Sequence, residues 1–418
     1  MAMKLIYIHQ YFNLPRGAGG TRSYDLSKEF VKKGIDVTVV TTSASLSTLV
    51  EIPHNKLWVY TEIEGIKVWI LNCPYNQQMS IRRRLLSFFK FVWFSTSKVL
   101  KIKTDAVLAT STPLSIAIPA VFKKLFQKTP FIFEVRDVWP EGPIQLGYVK
   151  NKLLIKLLRW AEQFIYKYAS YLVVLSTGMR ECIVSRITNK KLPPIEVITN
   201  ISEINRFSDI SNKINLDIEL SDKKVILYAG TLGPVNRIIY VAELAKMLKE
   251  LNLMNIVFLI VGEGSEKRKI IEYCKEQDIL NLNIFFVDKV PKQTLPYLYS
   301  ISTMGSSFVL DKKIKWDNSA NKFFDTLAAG KPVLINHKGW QADLIEKENC
   351  GYVLPANPDS KAVRDFASYV NNEDLLKKQG ENANKVAISQ FSLEIAVAKY
   401  MNVFSNLNIL RQRTIINN

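Results

Sequence analysis

The residues best equipped for chemistry lie in one segment, Asp317-Asn-Ser-Ala-Asn-Lys-Phe-Phe-Asp-Thr-Leu-Ala-Ala-Gly-Lys-Pro-Val333. Asp317 and Asp325 are eight residues apart, about two helical turns, so one helix spanning both would align them on a single face. The alternative puts Asp317 in a loop, with the helix beginning near Asn321. The amides of Asn318, Ser319 and Ala320 and the helix N-terminus would then face an anion. Lys322 opposes the macrodipole of a first turn, and a bound anion would explain why a cation stands there. Asp325, one turn further in, suits an acceptor for hydroxyl groups.

Other loops carry weaker signals. His9–Gly20 ends Pro15-Arg-Gly-Ala-Gly-Gly20 directly before a helix, where Gly19 and Gly20 allow close backbone approach to an anion. The dinucleotide fingerprint needs another glycine at position 22, which is Arg22, so a plain turn explains the loop nearly as well. Arg136-Asp-Val-Trp-Pro-Glu141 places an adjacent cation and anion, Arg136 and Asp137, after a strand; a buried Arg–Asp pair is the structural alternative. Tyr228-Ala-Gly-Thr-Leu-Gly233 and Val261-Gly-Glu-Gly264 each follow a strand of the second half.

The elements that must position these loops alternate between strand and helix. Lys4–Ile8, Val37–Thr41, Ala106–Ala109, Phe131–Val135, Leu172–Leu175 and Glu196–Ile198 read as strands, with a helix at Thr21–Lys33 stopped by Gly34. The pattern restarts with Lys224–Tyr228, Ile256–Val261, Ile284–Val287, Thr303–Val309, Pro332–Ile335 and Gly351–Leu354. Two βαβ series predict an α/β chain of two doubly wound domains with parallel sheets, whose ligands bind beyond the strands' carboxyl ends. The join is placed at Thr199–Ser208. This gives a first domain over 1–200, a second over 201–388, and a helical segment over 389–418 that crosses back to the first.

Composition sets the outer bounds. The 418 residues are 48% hydrophobic and 22% charged, which excludes a disordered or fibrous chain. Four scattered cysteines without a CxxC pair and three dispersed histidines argue against a disulfide framework or a structural metal site, and fit a reducing cytoplasm. No uncharged run makes a convincing spanning helix, and the N-terminal apolar run is too short for a signal peptide. The charge of +18 points to a polyanionic partner: nucleic acid, an anionic membrane or phosphorylated small molecules.

That charge clusters between Ile81 and Lys103, where seven cations occur without an acid. On a helical wheel Ile81, Leu85, Leu86, Phe88, Phe89, Val92 and Trp93 share an apolar arc, and Arg83, Arg84, Lys90 and Lys98 lie opposite. Phe91 and Phe94 fall among the cations, an arrangement suited to an anionic bilayer. The alternative is a core-packed helix with a solvated face.

The chain resembles retaining glycosyltransferases of family four, of the GT-B fold, and within them it looks similar to the WbuB-like transferases of bacterial surface-polysaccharide assembly. The resemblance rests on His9-Gln-Tyr-Phe12, Gly19-Gly20-Thr-Arg-Ser-Tyr24, Glu134-Val-Arg-Asp-Val-Trp-Pro-Glu141, Tyr228-Ala-Gly-Thr-Leu-Gly233 and Asn321-Lys-Phe-Phe-Asp-Thr-Leu-Ala-Ala-Gly-Lys-Pro-Val333. It implies two Rossmann-like domains facing across a cleft, the second binding a nucleotide-sugar donor. In place of the family's two glutamates stand Asp317 and Asp325, each one methylene shorter. Asp317 with the amides of Asn318, Ser319 and Ala320 would lie near the donor sugar and phosphates, and Asp325 would hold the ribose. The family's diphosphate-binding Arg and Lys are replaced by Thr231 and Asn236, which leaves Lys322 as the substitute cation, with Arg237 or Arg136 assisting. Gly230, Leu232, Gly262, Glu263, Gly264 and Asn321 would line the donor site, and Lys289 and Val290 would bracket the base, taken as uracil.

The resemblance further implies transfer with retention, without a metal or other cofactor, the departing diphosphate accepting the acceptor's proton. His9 and Asp137 are candidates for the sugar or acceptor side, or structural residues. The acceptor would be a lipid-diphosphate-linked saccharide at the inner face of the cell membrane, in O-antigen, capsule or related polysaccharide synthesis. Two other readings stay open. A non-hydrolysing nucleotide-sugar epimerase shares the fold, although its catalytic acids and histidine are not visible. A basic nucleic-acid-binding protein would account for the charge, although no nucleic-acid motif appears.

Overall fold

A computed structural model describes residues 2–74, 79–187 and 192–409; the side chains of Ile81 and Leu85, assigned above to the apolar arc, lie outside the described residues, as do residues 410–418 of the C-terminal segment. The chain forms two compact units, Met1–Thr199 with Leu393–Asn418, and Asn200–Ser392.

The first unit holds an eight-stranded sheet in the order β3-β4-β2-β1-β5-β6-β7-β8. The strands are β1 Lys4–Ile8, β2 Asp36–Thr42, β3 Trp58–Ile63, β4 Ile66–Leu71, β5 Ala106–Thr110, β6 Phe131–Val135, β7 Tyr171–Val174 and β8 Ile195–Val197. All neighbours are parallel except β3 and β4. That antiparallel edge departs from the expected wholly parallel sheet. Its turn is Glu64-Gly65, with φ of 49° and 80°. Two left-handed residues in succession match the twist of a tight hairpin, but Glu-Gly lacks the Asn-Gly signature that betrays one.

One face of this sheet is buried by the helices Ile81–Lys101, Ile118–Gln127 and Lys152–Tyr168. Phe91, Val99, Ala120, Val121, Ile165 and Tyr166 meet Ile6, Val107, Phe133 and Leu172 in a single core. Against the other side the helix Arg22–Lys32 joins the C-terminal helix Leu393–Asn406, Phe30 packing edge-on to Tyr400 and Phe404.

The wheel placed Phe91 and Phe94 on the outer side of the Ile81–Lys101 helix. Phe91 is instead 1% exposed, and Phe94 packs against the core. The inward row is Phe91, Ser95 and Val99, spaced by four residues; Leu86, Phe89 and Trp93 face outward. The helix is apolar on both sides, so periodicity alone does not say which side the sheet takes. Burial of a Phe contributes about 1.5–3 kcal/mol, and the position nearest the sheet claims it.

The second unit has six parallel strands in the order β11-β10-β9-β12-β13-β14. They are β9 Lys224–Ala229, β10 Ile256–Val261, β11 Ile284–Val287, β12 Met304–Ser307, β13 Val333–Ile335 and β14 Gly351–Val353. β10, Ile-Val-Phe-Leu-Ile-Val, is buried throughout, as a parallel strand covered on both faces must be. In each sheet the order reverses beside the first strand, at β1/β5 and at β9/β12. Such reversals open the crevice where doubly wound sheets bind ligands.

Candidate functional site

In the second unit, the loops leaving β9, β10 and β11 are stitched edge to edge. Gly230 N donates to Val261 O at 2.9 Å, Leu232 N to Glu263 O at 2.9 Å, and Gly262 N to Val287 O at 3.0 Å. The fit leaves no room for side chains. A Cβ on Gly262, whose φ is +148°, would stand 1.9 Å from Gly230 O, and one on Gly264 would stand 2.1 Å from Leu232 O. Here the glycines of Tyr228–Gly233 and Val261–Gly264 bring backbone against backbone.

Onto this platform reaches the helix Asn321–Ala328, which follows β12 at the switch point. Its N-cap is Ala320, without a side-chain cap, so its first amides are not closed off by a cap side chain. Lys322 lies in the first turn. A Cβ on Gly230 would approach its Cε to 2.8 Å, and its Nζ stands 5.0 Å from the centre of the Tyr228 ring. Lys322 is buried, and among the described residues no carboxylate pairs with its ammonium. Burial lowers its pKa to about 8, with Asp325 pulling the other way. A buried cation beside a glycine loop and a helix N-terminus is an arrangement that can hold an anion.

Asp325 lies behind it. Its carboxylate is 2.5 Å from Lys292 Nζ, and both side chains are buried. Lys292, missed in the sequence, stands in the short helix after Pro291, and its contact with Asp325 spans 33 positions of chain. Asp317 is half-buried at the end of the Lys313–Trp316 turn, in the loop and not on the Asn321 helix. Asn318 holds that loop: its Oδ1 accepts from Ala320 N at 3.1 Å, and its carbonyl accepts from Trp340 Nε1 at 3.0 Å. Ser319 Oγ accepts from Asn200 N at 3.2 Å.

The remaining donor-side candidates are differently engaged. Thr231 O accepts from Tyr228 Oη at 2.8 Å and Asn236 Nδ2 at 2.7 Å, which fixes the loop's curvature. Arg237 hydrogen-bonds Ala356 O at 3.2 Å and sits 3.9 Å from Glu243, so its charge is partly spent there. Glu263 is bound by Lys267 at 2.6 Å, which also holds Asp288 at 2.5 Å. Lys289 is exposed, whereas Val290 packs against the core under β9 and β10.

In the first unit, the ends of β1, β5 and β6 converge on a buried ion pair that sequence reading did not assign. Arg22 Nε lies 3.2 Å from both carboxylate oxygens of Glu134. Its other nitrogens donate to Ile198 O at 3.0 Å and Thr199 O at 2.5 Å. Glu134 also accepts from Thr110 Oγ1 at 2.8 Å and from Tyr400 Oη. Burial opposes ionisation of Glu134, but Arg22, Arg136 and these hydroxyls outweigh it and hold the carboxyl below its ordinary value. Arg22 is the residue that replaces the third fingerprint glycine; its partner is 112 positions away, beyond the reach of spacing arguments.

His9 is buried beside this pair, with Nδ1 2.6 Å from Ser23 Oγ. Burial and then Arg136 lower its pKa to about 3, Glu134 opposing, so the ring is neutral at physiological pH. Gly19 has φ +121° and Gly20 leads into the Arg22–Lys32 helix. Arg136 is half-buried, its amide donating to Ser111 Oγ at 2.9 Å, and Asp137 is exposed; the buried pair here is Arg22–Glu134 rather than Arg136–Asp137. Among the described residues no group of three or more His, Cys, Asp and Glu is arranged to hold a metal ion.

Comparison with known proteins places these two constellations in context. Residues 17–199 match the family model described as a glycosyl transferase 4-like domain, and residues 212–386 match glycosyl transferases group 1. An uncharacterized glycosyltransferase of Methanocaldococcus jannaschii is 24% identical over 85% of this chain and 86% of its own length. The UDP-Gal:alpha-D-GlcNAc-diphosphoundecaprenol alpha-1,3-galactosyltransferase of Escherichia coli is 22% identical over 62% of this chain and 66% of its own. Among solved structures, the sucrose-phosphate synthase of Thermosynechococcus elongatus superposes with a TM-score of 0.72 at 14% identity, covering 97% of this chain and 99% of that one. The architecture is that of GT-B proteins.

Proposed function

We propose, for a chain that belongs to the GT4-type glycosyltransferases, transfer of a sugar from a UDP-sugar to a lipid-diphosphate-linked saccharide in bacterial surface-polysaccharide assembly. The observation that carries the donor half is Lys322: a buried ammonium that forms no ion pair among the described residues, laid along Gly230 at the carboxyl end of β9. A nucleoside diphosphate supplies the missing negative charge. Its phosphates meet Lys322, the amide of Thr231 and the N-terminus of the Asn321–Ala328 helix. Asp325, steadied by Lys292, accepts from the ribose hydroxyls, and the base lies toward Lys289 and Val290.

The reaction proceeds with retention. The bond from the anomeric carbon to the diphosphate oxygen breaks, and the acceptor oxygen bonds to the same face of that carbon. The acceptor's hydroxyl proton passes to the departing diphosphate. Catalysis is electrostatic: Lys322 and the surrounding amides stabilise charge that grows on the leaving group, so a metal ion is not required. Asp317 and the Asn318–Ala320 loop approach the sugar. On the first unit, His9 and Asp137 face the acceptor, with Arg136 and Gly19–Gly20 toward its phosphates. The named E. coli relative, whose acceptor is a diphosphoundecaprenol saccharide, supports the acceptor class. The enzyme would act at the inner face of the cell membrane.

The test is calorimetric titration of wild type and Lys322→Met with UDP and UDP-sugars, followed by transfer to a polyprenyl-diphosphate saccharide. UDP binding that survives Lys322→Met unchanged would remove the donor assignment. Proton NMR of the product's anomeric centre decides between retention and inversion.

A further inference from the structure

Three neighbouring helices of the first unit, Ile81–Lys101, Ile118–Gln127 and Lys152–Tyr168, cover the same sheet face, so their outer sides point the same way. Those outer sides are apolar. The first presents Leu86, Phe89 and Trp93, with Phe89 73% and Trp93 76% exposed. The second presents Phe122, Leu125 and Phe126, with Phe122 and Phe126 stacked at 5.8 Å. The third presents Leu153, Leu157 and Trp160, with Leu153 77% exposed. Each triplet follows helical spacing, so the exposure is a property of whole faces and not of scattered residues. Exposed apolar surface of this extent marks an interaction site.

Charge identifies the occupant. The three helices contain twelve Lys and Arg and a single acid, Glu162. Glu162 is buried against Arg186 at 2.8 Å and adds nothing to the outer face. Arg82, Arg83, Lys90, Lys101, Lys152 and Lys156 are exposed around the apolar rows. Lys98 is not among them, because its ammonium lies 3.5 Å from the centre of the Trp69 ring. A second copy of this chain would bring like charges together across such a face. An anionic lipid surface matches both the cations and the aromatic and aliphatic rows between them. Among the described residues no helix is long and apolar enough to cross a membrane, so contact is made by lying on it.

We infer that this three-helix face is a monotopic docking surface for anionic bilayers, its cations drawing the chain to headgroups and Phe89, Trp93, Phe126, Leu153 and Trp160 entering the acyl boundary. This extends the membrane part of the reading above, and it is measured without donor or transfer, so either can fail alone.

The experiment is flotation of the full chain with vesicles of equal phosphatidylglycerol and phosphatidylcholine, and with phosphatidylcholine alone. Wild type should float with the acidic vesicles only. Arg82→Glu/Arg83→Glu/Lys90→Glu should lower partitioning by roughly a hundredfold. Phe89→Ser/Trp93→Ser/Trp160→Ser should still bind at low salt but detach at 1 M salt, where the Debye length is about 3 Å, while wild type partly remains. Unchanged thermal transitions show that both variants fold, as expected for exposed positions. Equal flotation of all three proteins would overturn the proposal. So would a wild type that ignores both vesicles and sediments as a dimer dispersed by Phe89→Ser/Trp93→Ser, since the face would then join two copies.

Discussion

Lys292 and Asp325 form a buried ion pair at 2.5 Å, directly behind the ammonium of Lys322 in the second unit. The pair sets up an asymmetry. Asp325→Ala strands Lys292 in a desolvated site, and breaking a buried pair from one side costs about 3–5 kcal/mol. Lys292→Met/Asp325→Leu removes both charges and should be far milder. Urea unfolding of the single and double variants measures the difference. Both should also lose UDP affinity by at least tenfold, if Asp325 receives the ribose; retention of affinity in the double variant would assign the pair to stability alone.

Lys322 makes the proposed donor site sensitive to pH. Its pKa is lowered to about 8 by burial. A group with a depressed folded pKa binds fewer protons when folded, so below that value the folded site carries a desolvated charge at a cost. A bound diphosphate relieves the cost and raises the pKa again. UDP binding at pH 8.5 should therefore take up protons, and affinity should decline as pH rises above about 8. Calorimetry in two buffers of different ionisation enthalpy reads the proton count. Lys322→Met should bind more weakly, with the uptake abolished. Equal uptake in the variant would assign the proton to another group.

Gly230→Ala tests the same contact from the opposite side. The added methyl would stand 2.8 Å from Lys322 Cε and 3.3 Å from Tyr228 Oη. The lysine tip is flexible and can retreat, so the fold should lose about 1 kcal/mol, the low end of the usual cost of overpacking. The ammonium, however, would be displaced from its place beside Gly230. The expectation is a UDP affinity lowered at least tenfold with a thermal midpoint within a few degrees of wild type. Gly262→Ala is the contrast: its methyl meets backbone at 1.9 Å with φ +148°, so folding itself should suffer.

What was legible in the sequence follows the range of the interactions involved. Parallel strands such as Ile256–Val261 announce themselves as uninterrupted apolar runs, and the glycines after β9 and β10 follow them directly. Lys322 was legible because a cation in a first helical turn contradicts the local dipole. Lys292, Arg22 and Glu134 were not, because a buried pair is defined by two distant positions whose local contexts look ordinary. The Ile81–Lys101 helix was misoriented for a different reason. With apolar residues on two opposite sides, only the sheet decides that Phe91 goes in and Phe89 and Trp93 stay out.

The Arg22–Glu134 pair links acid stability to the end of the first unit's main segment, at Ile198–Thr199, and to its C-terminal helix. Arg22 holds the carbonyls of Ile198 and Thr199, and Glu134 accepts from Tyr400 in the C-terminal helix. Glu134 has a pKa held below its ordinary 4.5, since Arg22, Arg136 and the hydroxyls overcome its burial. A depressed carboxylate stabilises the native state fully above its unfolded pKa, and that stabilisation is lost as pH falls through the folded value. Wild type should therefore lose stability steeply below about pH 4.5. Glu134→Gln leaves Arg22 buried without a counter-charge and should cost about 3–5 kcal/mol at pH 7. Its stability should fall less steeply in acid, so the two curves converge. Urea midpoints at pH 7 and pH 4 provide the comparison. A constant gap between wild type and variant would mean that the carboxylate's charge is not what anchors Tyr400 and the Ile198–Thr199 carbonyls, and that the network acts through shape alone.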